Sequence, residues 1–161
     1  MKRWNRMDRP GYASAAALLL VGLVAWPSVG WSKELGCVAV TEAQIAHLFV
    51  VWNDALQTLN PDKVVETYAP DAILLPTVEN GPLIGRAAIR GYFVHFLENK
   101  PSGKIDERTI RIGCNVAFDA GLYTFTYGTG APATAARFTY IYEYDGGRWL
   151  IAHHHSSKRP K

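Results

Sequence analysis

The sequence predicts an α+β domain preceded by an export signal. Between residues 41 and 99 apolar residues recur at helical spacing in three stretches. From Lys104 onward the period changes to two, the spacing of half-buried strands. A basic start and an uncharged apolar run stand in front of both. Helices first and a long strand meander after them is the order of an α+β architecture: three N-terminal helices packed on a curved antiparallel sheet. A sheet curved around a helix leaves a cone-shaped cavity.

At the front, Lys2, Arg3, Arg6 and Arg9 stand with one acid, Asp8, ahead of "YASAAALLLVGLVAW". That run is about 15 residues, short of the about 20 that a membrane span needs. It reads as a secretory signal peptide over residues 1–32, cleaved near Gly30–Ser32, where small residues are suitably spaced. The implied protein is exported, periplasmic or extracellular, and free of the membrane once the signal is removed. The whole chain carries +3, but residues 1–32 hold four of its basic residues and one acid; thirteen basic and thirteen acidic residues remain, a net of zero. No basic stripe is left to argue for nucleic acid. Cys37 and Cys114 are the chain's two cysteines, and in an oxidising compartment they are expected to pair.

After an N-terminal arm at 33–40, Thr41 and Gln44 stand at capping-box spacing. Ile45, Leu48, Phe49, Trp52 and Leu56 follow as one buried helix face. Asn60 and Pro61 open a second helix, with Val64, Val65 and Tyr68 inward and Pro70 as its stop. "DAILLP" reads as a short strand and "ENGPLIG" as a turn with a second short extended piece. A third helix runs from about Arg86 to Asn99. "IDERTIRIGC", "GLYTFTYG", "AARFTYIYEY" and "RWLIAHHHSS" alternate as strands, with "DGG" at 145–147 as a tight turn. The domain spans 41–158 and residues 159–161 are a tail.

With "YAPDAILLP", "GPLIGRAAIRGYF" and the closing "GRWLIAHHHSS", the chain resembles the nuclear transport factor 2-like superfamily. Within it, the chain is most similar to the calcium/calmodulin-dependent protein kinase II association-domain family, whose bacterial free-standing members carry the label SgcJ/EcaC-type. The resemblance covers about residues 37–158. It implies a cone-shaped, cystatin-like fold with a pocket between sheet and helices. It also implies homodimers through the outer sheet face, sometimes built into higher oligomers. It does not imply kinase activity: the chain holds no Gly-rich phosphate loop, no VAIK lysine strand, no HRD and no DFG.

Strand parity sorts the candidate residues. His154 and Ser156 share the face expected to look into the pocket; His153 and His155 share the outer one. Association-domain relatives carry a pocket arginine at the position matching Arg137, so Arg137 is expected beside His154, bound to Asp71, Glu107 or a small anionic ligand. Ser156 and Phe125 stand where those relatives carry further arginines. Trp52, Tyr92 and Tyr123 are candidates to line the cavity, with Asn53, Tyr68 and Phe96. Asp71, in "APDA", invites comparison with the catalytic aspartate of ketosteroid isomerase-like members. Tyr140 and Tyr142 are expected with His153 and His155 on a covered outer interface. A His-x-His pair is too few ligands for a metal site, and "GTGAP" at 128–132 is a hairpin loop, not a dinucleotide fingerprint. No metal or cofactor is expected. The favoured function is an exported small-ligand-binding or oligomerisation module. The alternative is a cofactor-independent isomerase, cyclase or hydrolase, or an oxidoreductase as the SgcJ/EcaC-type label has it, acting on a small organic substrate in the same pocket.

Overall fold

The computed structural model describes residues 36–160. The signal-peptide expectation lies outside them. Among the described residues no helix is long and apolar enough to cross a membrane.

Helix α1, Glu42–Gln57, begins at the capping box the sequence announces: Gln44 N donates to Thr41 Oγ1, and Gln44 Oε1 accepts from the Thr41 backbone N–H at 2.9 Å. It buries Ile45, Phe49, Trp52 and Leu56. Helix α2, Pro61–Val65, is capped by the Asn60 side chain. It ends before Pro70, which instead lies inside strand β1, Tyr68–Leu75. Strand β2, Leu83–Ile84, leads into α3, Gly85–Phe96, and a 3₁₀ turn at Leu97–Asn99. Strands β3 (Pro101–Ile112), β4 (Val116–Tyr127), β5 (Thr134–Tyr144) and β6 (Trp149–Lys158) complete the chain.

The sheet order is β2-β1-β6-β5-β4-β3. All neighbours are antiparallel except β1 and β6, which run parallel. The sheet is therefore mixed, not purely antiparallel as the meander suggests. The first strand inserts beside the last, and a parallel pair needs a long crossover, which α3 and the meander supply. In the β1–β6 register the pairing skips from Tyr68–Ile151 to Ile73–His153; Pro70, in that gap, has no N–H to offer a ladder.

Two bulges set which side chains face the helices. In β3 the register shifts between Ile105 and Glu107, opposite Tyr123 and Leu122. A Cβ on Gly121 would run into the Glu107 backbone, so the strands approach there only because residue 121 has no side chain. In β6 the register passes from Tyr142–Ile151 to Ile141–His153, leaving Ala152 as the extra residue. Ile151 and His154 consequently both look inward, three positions apart. Unbroken alternation along β6 would put Ile151 on the outer face with His153.

Cys37 and Cys114 form a disulfide, with Cα atoms 4.7 Å apart. It ties the segment before α1 to the β3–β4 turn. Asn115 braces the same junction, accepting from Val38 N at 2.9 Å and donating to Gly36 O at 3.2 Å. The bridge spans 77 residues, and constraining a loop of that length in the unfolded chain stabilises by about 2–4 kcal/mol. Reduction with a phosphine should lower the urea midpoint accordingly, with secondary structure retained before the transition. An unchanged midpoint would show that the bridge contributes nothing.

Candidate ligand pocket

The concave face of the sheet and helices α1 and α3 enclose an aromatic interior. Trp52, from α1, stands at its centre, edge to face with Phe93, Phe125, Tyr140 and His154. These contacts leave a cavity of about 330 Å³, within the range of small-molecule sites. Its walls include Trp52, Tyr92, Phe93, Phe96, Tyr123, Phe125 and Tyr127, and its polar lining includes Thr77, Asn99, His154, Ser156 and Lys158. Along β6, burial falls from His154, 3% exposed, through half-buried Ser156 to exposed Lys158. The closed end is thus at His154 and the mouth at Lys158.

His154 is held by a directed chain of hydrogen bonds. Trp52 Nε1–H donates to Tyr68 Oη at 3.1 Å, and Tyr68 Oη lies 2.8 Å from His154 Nδ1. An indole nitrogen only donates, so Tyr68 Oη accepts from Trp52, and its role toward Nδ1 follows the tautomer of the ring. Arg86 fixes the backbone of Tyr68, donating twice to its carbonyl at 2.8 and 2.6 Å. The His154 ring also stacks on Tyr140, centroids 4.1 Å apart. Burial, then the neighbouring His153 and His155, pushes the His154 pKa down to about 3, so the ring is neutral at physiological pH. Its Nε2 is buried and has no hydrogen-bond partner. Ser156 belongs to a second cluster, 2.5 Å from Tyr123 Oη and 2.6 Å from Thr77 Oγ1. Burial raises the Tyr92 and Tyr123 phenols far above neutrality.

Of the sequence candidates, Trp52, Tyr92, Tyr123, His154 and Ser156 line the cavity. Arg137 does not. It is exposed on the outer face of β5, because Phe138, Tyr140 and Tyr142 on the alternate positions are the ones buried. Three aromatic side chains outweigh one guanidinium, whose burial without a partner is costly. Asp71 is exposed on β1 and is not among the residues that line the cavity. Tyr140 and Tyr142 likewise correct the expectation of an outer interface: they are 0% and 1% exposed and belong to the core. His153 and His155 do lie on the outer face, half-buried. Asn53, weighed as a lining residue, instead accepts from Gly103 N at 2.8 Å and fixes α1 to β3. Among the described residues, no group of three His, Cys, Asp or Glu side chains is placed to hold a metal.

The pocket brought features the sequence did not announce. Thr77 and Phe93 line it, and Tyr68 acts as the link between Trp52 and His154. An ion pair with a fully buried acid and a half-buried base also lies on the inner side of the sheet, where Arg108 meets Asp119 at 2.8 Å and donates to the Ala46 carbonyl of α1.

Helices over a curved sheet, enclosing a cavity open at one end, define a nuclear transport factor 2-like protein with a cystatin-like fold. Residues 41–160 match the model of the calcium/calmodulin dependent protein kinase II association domain, and the chain belongs to that family. It is 45% identical to a Xanthomonas campestris protein whose crystal structure is described as such an association domain, over 79% of this chain and 96% of that one, with a TM-score of 0.71. An NTF2-like protein of unknown function from Pseudomonas putida KT2440 shares the fold at 18% identity, over 78% and 92% of the two chains, with a TM-score of 0.68. So does an uncharacterized cystatin-like protein from Caulobacter vibrioides, at 20% identity, 72% and 87% coverage and a TM-score of 0.61. No curated protein matches the chain.

Proposed function

We propose that this chain is an exported, self-associating module that binds a small organic molecule between its sheet and helices. The observation that carries the binding reading is the unpartnered His154 Nε2 at the closed end of an aromatic cavity. A buried polar atom without a partner is costly, and a ligand that supplies one gains affinity by doing so. No carboxylate lines the cavity, and His154 is too weak a base to take a proton near neutrality. Binding without chemistry fits that lining better than acid–base catalysis does. Arg137 lies outside, so the interior offers no fixed cation to an anion; Lys158 stands exposed at the mouth.

Self-association is supported by the family and by a cross-strand row on the outer face. Phe118, Ile141, His153 and Ile73 are consecutive register partners across β4, β5, β6 and β1. Phe118 is 44% exposed, a large apolar side chain on a face that a second copy would cover. The outer aromatic is thus Phe118, in place of Tyr140 and Tyr142. Export is supported by the sequence signal and by the disulfide.

A neutral apolar dye, N-phenyl-1-naphthylamine, should bind saturably with one dye per chain, and sedimentation should show a dimer that Phe118→Lys dissociates. Absence of saturable uptake would overturn the binding reading; a wild-type monomer at micromolar concentration would overturn self-association. In the native host, mass spectrometry of the soluble protein should find a chain starting near residues 31–33. An intact Met1 would overturn export.

A further inference from the structure

The hydrogen-bond chain behind His154 has a direction, and the direction selects a ligand. Tyr68 Oη accepts from Trp52 Nε1–H. If His154 carried its proton on Nδ1, Tyr68 Oη would accept twice and its own proton would be left in an apolar interior with no acceptor. If the proton is on Nε2, Tyr68 donates to Nδ1 and every buried hydrogen of the chain up to the ring is used. His154 then presents an N–H, not a lone pair, to the closed end of the cavity. The lining hydroxyls of Tyr123, Ser156 and Thr77 are occupied with one another, and Tyr140, whose ring stacks on His154 and whose hydroxyl is also unpartnered, does not line the cavity. Nε2 is the one buried side-chain polar atom of the cavity lining without a partner among the described residues.

We propose that the pocket selects a flat, uncharged ring compound carrying a carbonyl oxygen, which accepts the Nε2–H of His154 while the rings lie among Trp52, Phe93 and Phe125. This rests on the binding reading above and narrows it to a ligand class. The ring faces and edges of those three residues favour stacked and edge-to-face contacts. A hydrocarbon of the same shape would leave the donor buried and unpaired. A carboxylate would lose its hydration against a neutral donor, and the lining's Lys158 stands exposed at the mouth rather than at the closed end. The ligand is held at one point by a hydrogen bond and elsewhere by apolar contact, the division found in small-molecule sites generally.

Three probes of one shape separate these outcomes: 2-acetylnaphthalene, 2-ethylnaphthalene and 2-naphthoate. Binding is followed by calorimetry on the disulfide-bonded protein lacking residues 1–32. The ketone should bind about tenfold more tightly than the hydrocarbon, and naphthoate more weakly than the ketone. In His154→Phe the ketone should lose that advantage and match the hydrocarbon, whose affinity should stay within a few-fold. A measurement on the unaltered protein keeps the test independent of that variant. Nitrogen-15 spectra of the histidines should show His154 protonated at Nε2 and bare at Nδ1, with the Nε2 proton moving downfield when the ketone is added. Equal binding of ketone and hydrocarbon, or tightest binding of naphthoate, overturns the proposed ligand class and leaves small-molecule binding intact. A proton found on Nδ1 overturns the donor assignment. If none of the three probes binds, the binding reading falls and this proposal with it.

Discussion

Replacing Asp119 by alanine should cost about 3 kcal/mol or more of folding stability, although Asp119 does not line the pocket. Asp119 is fully buried and meets the Arg108 guanidinium at 2.8 Å. Arg108 is held by the Ala46 carbonyl of α1 and lies over the Phe49 ring, 5.9 Å from its centroid. Burial raises the Asp119 carboxyl above its ordinary range, against the opposing pull of Arg108, so the pair does not recover the full cost of leaving water. Removing one partner is worse, because the other charge is then left without compensation; such losses run to about 3–5 kcal/mol. Removing both is different. Asp119→Leu combined with Arg108→Met should return most of the loss, since apolar replacements of a buried pair are often neutral. Urea unfolding followed by tryptophan fluorescence measures all three proteins. A single variant that loses less than about 1 kcal/mol, or a double variant no more stable than the single, would refute this account of the pair.

That pair was legible in principle. On β4 the inward positions are Ala117, Asp119, Tyr123 and Phe125, so an acid at an odd-numbered residue of "VAFDAGLYTFTY" is an acid facing the core. Helix α1 was readable because its cap and its apolar spacing agree, and local agreement of that kind needs no tertiary information. The same local rule placed Trp52, Tyr92 and Tyr123 on faces that turned out to line the cavity. It failed on β5, where Arg137 and the aromatic run compete for the inside. Family likeness favoured Arg137, whereas apolar area decided for Phe138, Tyr140 and Tyr142. The parity of β6 was right at His154 and wrong at Ile151, because the bulge at Ala152 leaves no mark in the sequence. Nothing local could pair Tyr68 with His154, 86 residues apart. Their contact depends on β1 entering the sheet beside β6, a choice of topology made by the whole core.

The burial of His154 makes the fold acid-sensitive in a defined window. A histidine with its ordinary pKa of 6.5 in the unfolded chain and about 3 in the folded one binds its proton more readily when unfolded. Its contribution is therefore fully present above about pH 6.5 and is lost as pH falls from there toward 3. The loss is about 1.4 kcal/mol per pH unit inside the window, or roughly 2 kcal/mol by pH 5. Burial is the main cause, and charges on His153 and His155 would add to it. His153, itself lowered by partial burial, acts in the same direction. Asp119, raised by burial, acts in the opposite one at lower pH. Tyr68 and Tyr140, which touch the ring, are pushed far above neutrality and do not titrate in this window. The His154 share is isolated by comparison with His154→Phe, which keeps a ring against Tyr140 and Trp52 but cannot take up a proton. Between pH 7 and 5 the stability of the wild type should fall about 2 kcal/mol further than that of the variant, as read from urea midpoints at each pH. Parallel curves for the two proteins, or a His154 resonance titrating near pH 6.5 in the folded state, would show that the ring is not held neutral by its surroundings.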